Sequence, residues 1–146
     1  MLYLSIMSTH KKPLTLCLEL AKAYARMVRR LDGRLGSLHG LSFGDFAILR
    51  QLSRAPAGKL RRVDLADELG LTPAAVTRAL IPLEKIGLVK RQVDKNDARV
   101  GYASLTNAGE RLLKEATETA DWLSEETFSL DGAQLAELSQ LFAQLV

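Results

Sequence analysis

The sequence predicts a mainly α-helical protein with one small β-hairpin late in its middle third. Three observations point there. The 146 residues are 47% hydrophobic but only 5% aromatic, and Leu and Ala, which lose little on entering a helix, carry most of the apolar load. Long stretches at both ends repeat apolar residues at three- and four-residue steps. Between residues 88 and 105, two β-prone runs flank a polar loop. The length suits a single domain able to bury a real core.

Residues 14–38 read as one long helix. Leu20, Tyr24, Met27, Val28, Leu31 and Leu35 form its apolar stripe, with Lys22, Arg26, Arg29 and Arg30 off it. Gly33 and Gly36 weaken its end and Gly40 stops it. Ser42 then caps a helix carrying Phe43, Phe46, Leu49 and Leu52, with Asp45 in its first turn. Ala55-Pro56-Ala57-Gly58 closes that helix.

Two short helices follow. The first covers about residues 63–69, turns Leu65, Ala66 and Leu69 inward, and stops at Gly70. The second is announced by Thr72 as cap and Pro73 at the first helical position, where a missing N–H costs nothing. It runs to about Ile86 with Val76, Leu80 and Leu83 buried and ends at Gly87. Pro82 removes the hydrogen bond to Arg78 and is expected to bend the last turn.

Residues 88–93 and 100–105 make the hairpin, and residues 94–99 form a loop too long for a tight turn. Thr106 caps a long helix through Leu112, Leu113, Ala116, Ala120 and Leu123. After Asp131-Gly132 a last helix presents Leu135, Leu138, Leu141, Phe142 and Leu145.

Charge is unevenly spread. Residues 1–58 hold nine Lys/Arg against three Asp/Glu, residues 59–105 nine against six, and residues 106–146 two against eight. A cationic front and middle suit a polyanionic partner, although solvated helix faces explain such charge equally well. The single cysteine, Cys17, leaves no intrachain disulfide and no Cys-based zinc site. His10 and His39 lie far apart, so neither metal nor cofactor is expected. No apolar run reaches the roughly 20 residues a membrane helix needs, and a cytoplasmic protein is expected. Met1–Met7 lacks the marks of a signal peptide; residues 1–13 are expected to be a flexible arm, with Met7 as an alternative start.

Two short helices joined by Gly70-Leu71-Thr72 make a helix-turn-helix, and the hairpin behind them makes it winged. A helix entering a DNA major groove needs small or hydrogen-bonding side chains on its first turns. Thr72, Pro73, Ala74, Ala75, Thr77 and Arg78 supply them, and the helix N-terminus is itself a phosphate site. Lys90, Arg91, Lys95 and Arg99 lie on or beside the hairpin tip, where cations reach phosphates or a minor groove, and Asp97 can orient Arg99. Taken singly, the helix is an ordinary amphipathic one and Asp97 with Arg99 an ordinary surface ion pair. No nucleophile triad, phosphate loop or paired acids mark an enzyme.

In order and spacing, the segments 65–72, Val76-Thr77-Arg78, 83–91, Asp97-Ala98-Arg99 and 105–109 together resemble the MarR family of bacterial transcriptional regulators. The resemblance is ungapped over about residues 60–112, and the flanking helices follow the family's layout. Pro82 and Asn96 depart from the usual pattern, a polar helix former and a wing proline. The resemblance implies residues 14–146 as one MarR-type domain: dimerisation helices over 14–40 and 106–146, and a winged helix-turn-helix lobe over 42–105. It implies a homodimer on palindromic double-stranded DNA, acting as a repressor and released by a small aromatic or phenolic effector.

Tyr24, His39, Phe46, Arg50 and Trp122 are the residues of a type to line an effector pocket, though each also fits core packing or a solvated face. A peroxide-sensing branch of the family uses a cysteine early in the first helix. Cys17 sits there, yet its leucine neighbours suggest a buried, inert thiol. A dimeric protein-interaction module without DNA binding is the remaining alternative.

Overall fold

The computed structural model describes residues 12–145, so the arm expected over residues 1–13 and the alternative start at Met7 lie, up to residue 11, outside the described residues. Helix α1 spans Pro13–His39, α2 Phe43–Ser53, and a short strand β1 Lys59–Arg61. The pair α3 Arg62–Leu69 and α4 Pro73–Lys85 follows, then strands β2 Val89–Val93 and β3 Gly101–Leu105. Helices α5 Asn107–Thr127 and α6 Gly132–Ala143 complete the chain.

Local chemistry sets most of these bounds. Pro13 occupies the first turn of α1, which runs through Gly33 and Gly36 and stops at Gly40, whose backbone is left-handed at φ 67°. Ser42 and Asp45 form a reciprocal capping box: Asp45 N donates to Ser42 Oγ at 2.9 Å and Ser42 N to Asp45 Oδ2 at 3.1 Å. Asp131 and Gln134 repeat the device at the start of α6. Thr106 Oγ1 caps α5 by accepting from Gly109 N at 3.1 Å, and donates to the Gly87 carbonyl at 2.5 Å.

The structure adds β1, which the sequence reading missed. It pairs antiparallel with β3 through Lys59 with Ser104 and Arg61 with Tyr102, giving a three-stranded sheet in the order β1-β3-β2. The β2–β3 hairpin is in register from Val89 with Leu105 to Val93 with Gly101.

The core gathers beneath the two short helices. Leu35, Leu49, Leu52, Leu65, Val76, Leu80 and Leu83 pack with Leu113, Ala116, Ala120 and Leu123 of α5. Val76, Leu80 and Leu83 are buried as expected, which fixes the rotation of α4 and turns its opposite face to solvent. The helix continues through Pro82 to Lys85, so the proline does not end it. Toward the chain ends the picture reverses. Leu20, Tyr24, Leu141 and Phe142 are each more than two-fifths exposed, and α6 buries no residue at all.

Candidate nucleic-acid interface

Helix α4 begins where its cap dictates. Thr72 is extended and its Oγ1 accepts from Ala75 N at 3.2 Å, while Pro73 at the first helical position has no N–H to satisfy. Pro73, Ala74 and Arg78 are exposed, Ala75 and Thr77 half-buried. Ala74 and Arg78 thus lie on the side of α4 opposite its buried stripe, with Ala75 and Thr77 on its flanks.

The wing is built around two aspartates. Asp94 Oδ1 accepts from Asn96 N at 2.7 Å and Asp97 N at 3.2 Å, and Tyr102 Oη donates to Asp94 Oδ2 at 3.4 Å. These backbone amides, first that of Asn96, hold the Asp94 carboxyl below the ordinary aspartate range, with Lys59 adding a smaller pull. Lys59 Nζ also lies 4.6 Å from the centre of the Tyr102 ring, so β1 ties into the wing base. Asp97 Oδ1 accepts from both the Arg99 backbone at 3.0 Å and Arg99 Nε at 3.2 Å, the orienting contact expected from the sequence. The Arg99 side chain remains 91% exposed. Lys90 and Lys95 are exposed too, while Arg91 leans on Glu84 at 3.6 Å.

Helix and wing converge. Pro73 and Thr77 from α4 and Arg99 and Gly101 from the wing line one cleft of about 410 Å³, with Arg61 and Arg62 on its third side. Arg61 and Arg62 were not singled out from sequence. Arg61 forks onto Asp64, Nε at 2.8 Å and Nη2 at 3.0 Å, and that hydrogen-bonded pairing raises the arginine and lowers the aspartate from their ordinary values. Arg62 Nη1 instead donates to Thr77 Oγ1 at 3.3 Å. The available signal was Lys59-Leu60-Arg61-Arg62, a basic alternation just before the helix pair.

The five residues considered for an effector pocket are not brought together. Phe46 is in the core, 5% exposed, in a near-parallel stack with Phe43. His39 Nε2 bonds Thr119 Oγ1 at 2.8 Å, Trp122 lies under the Arg34 guanidinium at 5.7 Å, and Arg50 is exposed on α2. Tyr24 alone faces an apolar groove of about 630 Å³, shared with Leu20, Met27, Phe128 and Phe142. Cys17 is exposed, correcting the expectation of burial: among the described residues its leucine neighbours Leu14, Leu16, Leu18 and Leu20 are exposed as well. Among the described residues no three His, Cys, Asp or Glu side chains gather as metal ligands, and no helix is long and apolar enough to cross a membrane.

A capped helix pair, a β-wing and a cationic cleft between them define a winged helix-turn-helix protein. Comparison with known proteins gives the family. The model of the MarR family matches residues 41–100. The transcriptional regulator HosA of Escherichia coli O157:H7 is 32% identical over 109 residues, covering 75% of this chain and 77% of HosA. The chain therefore belongs to the MarR family of transcriptional regulators, and is not an enzyme. The crystal structure of BldR from Sulfolobus solfataricus superposes with a TM-score of 0.81 at 30% identity, over 95% of this chain and 100% of BldR. Sco3205 of Streptomyces coelicolor, a MarR family regulator solved in complex with DNA, gives 0.82 at 23% identity over 89% and 82% of the two chains.

Proposed function

We propose that the protein is a homodimeric repressor that binds a palindromic operator in the cytoplasm, with Thr72, Pro73, Ala74, Ala75, Thr77 and Arg78 at the major groove. Lys90, Lys95 and Arg99, steadied by Asp97, serve the wing. The observation that carries this reading is the cleft in which Pro73 and Thr77 face Arg99. It couples a helix end able to read base edges with a cation able to reach the neighbouring backbone or minor groove. The DNA-bound Sco3205 supports the same use of the fold.

The dimer has a physical reason. Leu14, Leu16, Leu18, Leu20 and Tyr24, spread around the start of α1, and Leu135, Leu141 and Phe142 on α6 are exposed apolar side chains that a second copy would bury. Two-fold symmetry would set the recognition helices about one DNA turn apart. A small aromatic effector fits the groove at Tyr24, where filling it would alter how α1 meets α6 and hence the spacing of the two lobes.

The test is a gel shift on duplexes from the DNA flanking the protein's own gene, run across a salt series. Sequence-preferring binding that weakens steeply with salt is expected, because each neutralised phosphate releases counterions. Equal retention of all duplexes overturns the reading.

A further inference from the structure

We propose that Arg62 is a DNA-binding and specificity-determining residue, one that offers charge to a backbone phosphate and biases Thr77 toward donating its hydroxyl proton to DNA. The inference rests on the DNA-binding reading and deepens it at one side chain.

Arg62 stands at a three-way junction. It opens α3, its Nη1 reaches Thr77 Oγ1 on α4 at 3.3 Å, and it lies across Gly101 of β3. A Cβ at position 101 would stand 3.1 Å from Arg62 Nη2, so the glycine makes room for the guanidinium against the wing. Among the described residues, the other two arginines of this cleft each hold a carboxylate: Arg61 takes Asp64 and Arg99 takes Asp97. Arg62 bonds a neutral hydroxyl, so its charge is left uncompensated where the backbone between a helix-contacted major groove and a wing-contacted minor groove would pass.

The hydrogen-bond inventory then constrains Thr77. A threonine hydroxyl has one proton and two lone pairs. Arg62 occupies one lone pair, which biases the hydroxyl toward giving its proton to an acceptor (a phosphate oxygen, or N7 and O6 of guanine, N7 of adenine, O4 of thymine) and leaves one lone pair over. Cytosine, whose major-groove edge offers only a donor, meets only the remaining lone pair, so the bias runs against it at that position. The guanidinium has four further N–H groups, so binding Thr77 does not exhaust it.

The experiment uses the full chain and a pool of randomised duplexes. Enrichment by the wild-type protein defines its preferred site, and no enrichment removes both the DNA reading and this proposal. On the enriched duplex, Arg62→Ala is expected to weaken binding about tenfold and to flatten the plot of log affinity against log salt by about one ion. It should also relax base preference at the position that Thr77→Val relaxes, with the double variant no looser there than either single one. Should Arg62→Ala fold poorly, Arg62→Gln removes the charge and keeps a polar side chain, and must show the same flattening. A folded variant of either kind that keeps the wild-type salt slope overturns the phosphate contact. Base preference unchanged in Arg62→Ala, with Thr77→Val shifted, overturns the control of Thr77.

Discussion

Gly109 sits directly against the Leu88 carbonyl: a Cβ built on the glycine would collide with that oxygen. The same carbonyl accepts from Thr106 N at 3.1 Å, so the first turn of α5 is seated on the chain entering the wing. This contact ties the helix that runs along the core to the strand that carries Lys90 and Arg91. Gly109→Ala must separate the two, and overpacking of this kind costs about 1–3 kcal/mol. Urea unfolding should show that loss, and an unchanged midpoint would mean that α5 shifts freely over Leu88.

Pro82 is exposed in the interior of α4 and leaves the Arg78 carbonyl without its helical donor. Pro82→Ala restores that N–H. The helix gains up to ~3 kcal/mol from propensity, offset by about 1 kcal/mol from the greater freedom of the unfolded chain, for a net rise of up to about 2 kcal/mol. DNA affinity should stay at the wild-type value, because the proposed contacts end at Arg78. A loss of affinity with raised stability would place Pro82 within the DNA-reading geometry.

The apolar face shared by α1 and α6 makes a different prediction. Phe142 is 52% exposed in the single chain, so Phe142→Glu should leave the protomer folded by circular dichroism. In a dimer the same side chain would be covered, and a buried unpaired carboxylate is costly. Sedimentation should therefore report monomers for the variant and dimers for the wild type, with operator binding lost alongside. Dimers of wild-type affinity in the variant would remove α6 from the interface.

How much of this was legible in the sequence depended on distance along the chain. Caps at Ser42, Thr72 and Thr106 were readable because each side chain bonds a backbone amide three residues away. The buried stripe of α4 was readable because helical period alone sets it. Strand β1 was not, since three residues gain a strand only by pairing with Ser104 to Tyr102, far along the chain. Arg62 stayed hidden for the same reason: its partners Thr77 and Gly101 lie on other elements. Tyr24 and Phe46 look alike as aromatic residues on apolar stripes, and only tertiary packing separates a groove wall from core.

Asp94 gives the wing a pH dependence whose sign is fixed. Its folded pKa lies below the ordinary 3.8 because the Asn96 and Asp97 amides donate to the carboxylate, so the charged form stabilises the folded state. That contribution is full above the unfolded value and fades as pH falls through the lower folded one. Asp94→Asn keeps an oxygen acceptor and removes the charge. The variant should be less stable than wild type at pH 7, and the gap between their urea midpoints should close below about pH 4. A gap of the same size at pH 7 and pH 3 would assign the effect to packing instead.

Arg78 and Arg99 should fail in different ways. Arg99 projects from the wing with its side chain 91% exposed and oriented by Asp97, a position for backbone or minor-groove contact. Arg99→Ala should weaken all duplexes alike and flatten the salt dependence by about one ion. Arg78 is exposed on the second turn of α4, one residue beyond Thr77, where a guanidinium can fork onto guanine. Arg78→Ala should cost about 1–3 kcal/mol on the preferred duplex and much less on others, relaxing preference at one position in each half-site. The two patterns separate in a single experiment, by measuring each variant on the preferred duplex and on its single-base variants at two salt concentrations. If both variants keep wild-type affinity on every duplex, the proposed docking of wing and α4 on DNA is overturned, because it places Arg99 and the exposed Arg78 against the duplex.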